Sequence, residues 1–119
     1  MSLIRSFGFA VAGISYLIRT QRNARIELAI GVVVLVVAGW LRITALEWAV
    51  LVLAIALVLA LEALNTATEL VVTLASPERH PLAKAAKDVS AAMVLIAAIA
   101  SVMVGIVILG PRFALLTGR

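Results

Sequence analysis

Polar residues in this chain fall into a few short clusters, separated by apolar runs too long for a soluble core. Between Ser2 and Thr20, Leu3, Ile4, Phe7, Val11, Ile14, Leu17 and Ile18 recur at helical spacing, while Ser2, Arg5, Ser15 and Arg19 lie largely elsewhere around the helix. This pattern predicts an amphipathic helix over 2–20 lying in the membrane interface. Residues 26–41 are apolar apart from Glu27 and, at about 1.5 Å per residue, barely cross a hydrocarbon core of about 30 Å. Arg42 and Thr44 mark a tight turn, and 45–75 then continues as one helical pattern without Pro or Gly. Ser76-Pro77 ends it, Glu78-Arg79-His80-Pro81 forms a polar connection, and a third helix over 82–110 turns apolar from Val89 to Gly110. The expected fold is all-α: three transmembrane helices plus an N-terminal interfacial helix. No repeat or linker divides it, so 1–119 reads as a single membrane-embedded domain.

Composition agrees with a membrane protein, since 65% of the 119 residues are hydrophobic, only 13% are charged and mean hydropathy is +1.21. The absence of cysteine excludes disulfides, thiolate metal sites and thiol catalysis. The net charge of +4 does not point to nucleic acid, because the basic residues are scattered at span ends rather than gathered with aromatic stacking residues. They serve better as topology signals. Arg5, Arg19, Arg22, Arg25, Arg79, Lys84 and Lys87 fall on one side, against Arg42, Arg112 and Arg119 on the other. The positive-inside rule then places the N-terminus and the 76–88 loop in the cytoplasm and the C-terminus outside a multi-pass inner (plasma) membrane protein. The first 25 residues show no cleavable signal peptide. Trp40 and Trp48 read as interface anchors, and Ala91, Ala92, Ala97, Ala98 and Ser101 as small residues for close helix packing.

The chemistry is concentrated in Glu62-Ala-Leu-Asn65-Thr66-Ala-Thr-Glu69. On a helix, Glu62, Asn65, Thr66, Glu69 and Thr73 fall within roughly a 100° arc. Ionisable residues in a membrane span are a functional hypothesis by default, because their desolvation must be offset by a partner, a metal or a catalytic role. With Trp48 at the outer interface, Glu62 lies about 21 Å further along and Glu69 about 31 Å, towards the cytoplasmic edge. That depth suits chemistry between a lipid headgroup and a soluble charged reactant.

These motifs resemble those of the small prokaryotic diacylglycerol kinase family, which includes undecaprenol kinases. The E-x-x-N-[ST]-A-x-E signature at Glu62–Glu69 is followed at family spacing by Ala-Lys87-Asp88, and Asn23-Ala-Arg25-Ile26 is similar to the family's N-x-R-I segment. Phe7, Ala10 and Gly13 match its N-terminal helix. The resemblance implies a homotrimer that uses ATP and Mg²⁺ to phosphorylate a membrane lipid hydroxyl, diacylglycerol to phosphatidic acid, with undecaprenol as the alternative acceptor. No Walker A motif is present.

Residue by residue, the resemblance gives Glu62 the role of general base, with Asn65 orienting the reacting groups. Glu69 matches a magnesium ligand. Glu78, Arg79 and His80 resemble the nucleotide loop, and Lys87 and Asp88 match nucleotide-contacting positions. Gln21 departs from the pattern by standing where the family commonly has a Glu ligand, and Thr73 where an Asp is frequent; Glu27, six residues after Gln21, is the alternative metal ligand. Plainer readings exist for each. The carboxylates could bridge subunits, Asn65 could be interhelical glue, His80 a solvated loop residue, Glu27 an interfacial acid, and Lys87 and Asp88 a snorkelling lysine and a dipole-favoured acid. Outside the family, a small intramembrane-Glu transporter would want its acid near the bilayer midplane, and a structural oligomer would need no cytoplasmic Lys-Asp pair.

Overall fold

The computed structural model describes residues 2–118, which form four helices: α1 (Leu3–Thr20), α2 (Arg22–Leu41), α3 (Ala45–Ala75) and α4 (Pro81–Leu116). Arg119, counted above with the outer basic residues, lies outside the described residues. The helix boundaries have local causes. The Ser2 hydroxyl accepts the Arg5 N–H at 3.3 Å and caps α1. Gln21 alone is extended, at φ −111° and ψ 108°, so a single residue separates α1 from α2. Across that joint the Arg25 guanidinium donates to the carbonyls of Ile18 (2.9 Å) and Arg19 (3.1 Å). Carbonyls at a helix end lack intrahelical partners and carry the negative end of its dipole, which a guanidinium satisfies. The polar turn 22–25 is therefore helical, and α2 begins four residues before the apolar run that starts at Ile26.

At the opposite end of α2, Arg42 adopts the left-handed conformation (φ 55°, ψ 55°) and donates its N–H to the Gly39 carbonyl at 3.3 Å. A reciprocal capping box follows: the Glu47 N–H donates to the Thr44 hydroxyl (3.2 Å) and the Thr44 N–H to the Glu47 carboxylate (3.0 Å). α3 then spans the expected 45–75. α4 differs from expectation by running through Gly110-Pro111 to Leu116 instead of ending at 110. Proline removes a helical hydrogen bond and commonly ends or kinks a helix. Here the turn beyond it is tied to α3, because Arg112 forms a two-pronged ion pair with Glu47 at 2.7 and 2.6 Å.

α2, α3 and α4 are long and apolar enough to cross a membrane. Val36, Leu53 and Val107 are among many large apolar side chains that face outward, a surface that suits lipid and not water. In α1, Phe7, Val11 and Ile14 are likewise exposed and Leu17 is buried. The most extensive helix packing is between α3 and α4. A small core of Ala38, Ile43, Leu51 and Ile108, with Trp48 against it, closes the end of the bundle nearest the 42–44 turn. α2 approaches α3 closely at Gly31, where a Cβ would stand 2.9 Å from the Ile55 methyl Cγ2.

Candidate active site

The polar stripe of α3 is graded in burial. Glu62 is 2% exposed and Thr66 is buried, Asn65 and Glu69 are half-buried, and Thr73 is exposed. The Thr66 hydroxyl donates to the Glu62 carbonyl one turn back (2.9 Å), which satisfies it without engaging either carboxylate. The burial of Glu62 comes from its own chain. Its carboxyl faces that of Glu27 on α2, and one Glu27 oxygen, Oε2, is buried with no hydrogen-bond partner. α2 therefore shields Glu62 from lipid without an adjacent subunit.

Around this pair lie three concavities. An apolar groove of about 630 Å³ runs between α2, α3 and α4, from Ile26 and Glu27 at one end to Phe113 at the other. A pocket of about 660 Å³ at the α1–α2 joint brings Gln21 against Thr66, Glu69 and Thr73. A third, of about 720 Å³, is formed by the 76–80 connection and the first turns of α4 and includes Glu78, Arg79, His80, Lys84, Lys87 and Asp88. Thr73 and Pro77 line both polar pockets, so the two are neighbours. The fold thus brings Gln21 to Glu69 and gathers Glu78, Arg79, His80, Lys87 and Asp88 around one pocket. Glu27 does not join Glu69: it belongs to the apolar groove and to Glu62. Among the described residues no three His, Asp or Glu side chains cluster as a metal site.

In the loop, His80 caps α4, its Nδ1 accepting the Leu82 N–H at 3.1 Å, with Pro81 in the first helical turn. Its other ring nitrogen, Nε2, is not used by this cap. Asp88 pairs with Lys84 one turn earlier, at 2.6 Å, and not with its sequence neighbour Lys87. Both partners are largely exposed, so the pair adds little stability; it does hold the Asp88 carboxylate at the pocket. Lys87 is exposed in the same pocket.

One residue of this region is absent from the sequence-based list. Ser90, 6% exposed, donates its hydroxyl to Asn65 Oδ1 at 2.7 Å, joining α4 to the stripe. Its only signal in sequence is that it interrupts the apolar run after Asp88, three residues beyond Lys87.

The sequence model of the prokaryotic diacylglycerol kinase family matches residues 8–109. A diacylglycerol kinase of Synechocystis sp. is 50% identical over 105 residues, 87% of this chain and 60% of that protein, so the chain spans well under two thirds of that relative's length. An undecaprenol kinase of Bacillus subtilis is 38% identical over 108 residues, 91% of this chain and 88% of the relative. A diacylglycerol kinase of Escherichia coli is 32% identical over 111 residues, covering 93% and 91%. With the match running across nearly all of α1 to α4, this chain belongs to the prokaryotic diacylglycerol kinase family of lipid kinases.

Proposed function

We propose that this protein transfers the γ-phosphoryl group of ATP to the hydroxyl of a membrane lipid, with diacylglycerol as acceptor and phosphatidic acid as product. The observation that carries the reading is the place of the Glu62 carboxyl, buried against Glu27, which lines one end of the apolar groove, and one turn before Thr66 of the Glu69 pocket. A lipid chain fits the groove, and its headgroup hydroxyl then lies at the end that carries the carboxyls. Glu62 accepts the hydroxyl proton as the lipid oxygen attacks the γ-phosphorus and the bond to the ADP oxygen breaks. Base catalysis of this kind contributes typically 10²–10⁴-fold.

The donor set at the α1–α2 joint fits Mg²⁺. Glu69 supplies one carboxylate and Gln21 one amide oxygen around an open pocket, matching an ion that keeps several waters and takes one or two carboxylates plus substrate phosphates. When bound there with the triphosphate, Mg²⁺ supplies neutralisation of phosphoryl charge. Arg79 and Lys87 supply further positive charge from the loop pocket. His80 presents Nε2 to the nucleotide, and Glu78 and Asp88 flank the ribose side. Glu27, in this reading, acts on Glu62 and not on the metal.

In the proposed arrangement the chain sits in the inner (plasma) membrane with the 76–88 loop in the cytoplasm and α1 on the cytoplasmic surface. It acts as a homotrimer, a neighbouring subunit closing the open side of the Glu69 pocket. Crosslinking in mild detergent is expected to stop at three subunits, and a stable, active monomer would overturn the trimer. Undecaprenol is a second acceptor, favoured by one observation: of two relatives covered almost end to end, the Bacillus subtilis undecaprenol kinase is 38% identical and the Escherichia coli diacylglycerol kinase 32%. ATP-dependent phosphorylation in mixed micelles, with diacylglycerol and a C55 polyprenol compared side by side, tests the reading. Failure to phosphorylate either lipid would overturn it.

A further inference from the structure

We infer that Ser90 is a positioning residue for phosphoryl transfer, holding the Asn65 carboxamide so that its N–H₂ group and not its carbonyl faces the reacting anions. The inference rests on the kinase reading above. A carboxamide has two nearly isosteric orientations, one presenting an acceptor and the other two donors. In this molecule it is the acceptor that is engaged from α4: the buried Ser90 hydroxyl donates to Asn65 Oδ1 at 2.7 Å, across 25 residues of sequence.

With its carbonyl engaged, Asn65 has its two N–H donors left for the stripe, where Glu62 lies one turn before it and Glu69 one turn after. The reverse orientation would set an amide oxygen among carboxylates and phosphoryl oxygens, all acceptors. The fixed orientation suits a phosphoryl oxygen carrying developing charge, which a preorganised donor stabilises. Ser90 also stands three residues after Lys87 on the same helix, so the element that lines the nucleotide pocket is the one that sets the Asn65 rotamer. Alanine differs from serine by one oxygen, so Ser90→Ala removes this bond with little change in packing.

The test is a double-mutant cycle in the full-length chain in mixed micelles. Ser90→Ala is expected to lower kcat about tenfold, within the coupling range of contacting residues, with the lipid KM changed less than about twofold. Ser90→Thr, which restores the hydroxyl, recovers most of the loss. Asn65→Ala lowers kcat further, and adding Ser90→Ala to it costs nothing more. Should Asn65→Ala fail to fold, Asn65→Asp takes its place, since it removes the donors and keeps the acceptor. An unchanged kcat in Ser90→Ala, or the same fold-loss in both backgrounds, would overturn the role. If the wild-type chain phosphorylates neither lipid, the kinase reading has failed instead. The same cycle is then read as affinity for a magnesium complex of a non-hydrolysable ATP analogue, where additive or absent effects again overturn the positioning role.

Discussion

Two ends of α3 carry acids, and they are built on opposite plans. At the 42–44 end, Glu47 accepts the Thr44 N–H and the two prongs of Arg112. At the other end, Glu62 is more deeply buried yet faces a second carboxyl, one of whose oxygens has no partner. Depth alone would rank both as costly acids in a membrane protein. Their partners separate them: Glu47 is satisfied by its own fold and closes the bundle, whereas the carboxyl beside Glu62 keeps one buried oxygen, Glu27 Oε2, for something else to use. Unmet polar capacity in a buried place marks a working site more sharply than burial does.

The strongest way to break this contrast is Glu62→Gln. The amide is isosteric but cannot take the proton, so kcat is expected to fall by about two to three orders of magnitude, while nucleotide binding and the unfolding midpoint stay close to wild type. Turnover near wild type would remove Glu62 from the base role.

A smaller effect distinguishes the two carboxyl neighbourhoods at the inner end. Gln21→Glu adds a charged oxygen beside Glu69 and is expected to lower the magnesium requirement about tenfold, about 1.4 kcal/mol. Glu27→Gln leaves the magnesium titration where it is, because Glu27 lies with Glu62 and outside the Glu69 pocket. An upward shift in Glu27→Gln would place Glu27 among the ligands after all. A chain inactive until Gln21 is made Glu would mean that this member has lost the family reaction.

The smallest effect on activity is expected at the other end. Arg112→Met breaks the tie to Glu47 and lowers the thermal unfolding midpoint in detergent, since it leaves a half-buried carboxylate with one partner fewer. kcat of the folded fraction is unchanged. A loss of kcat without loss of stability would show that the outer end communicates with the site and that the two plans are not independent.

How much of this was legible in the sequence follows from the range of the interactions. The limits of α3 were readable because the Thr44–Glu47 box and Ser76-Pro77 are local signals, and the placing of the stripe on one face follows from helical period alone. The end of α4 was not, because what carries the helix past Pro111 is Arg112 meeting Glu47, 65 residues away. The start of α2 was missed because Arg25 bonds backwards onto α1. At the site, Glu78 to Asp88 lie close together in sequence, across the 76–80 connection and the first turns of α4, and were readable as a group. The Glu27–Glu62 neighbourhood and the Ser90–Asn65 bond depend on how helices dock, which no periodicity encodes.

Gly31 carries no chemistry, yet it acts as the caliper of the groove. Because its missing Cβ lets α2 stand against Ile55, the spacing between α2 and α3 is fixed by the absence of one methyl group. Both residues line the groove that ends at Glu27. A methyl there would work as a wedge, widening the slot along its length and loosening the cover that α2 gives to Glu62. The gauge of chain the protein admits and the dryness of its buried acid are therefore one adjustment, made one turn along α2 from Glu27 at a residue with no side chain of its own.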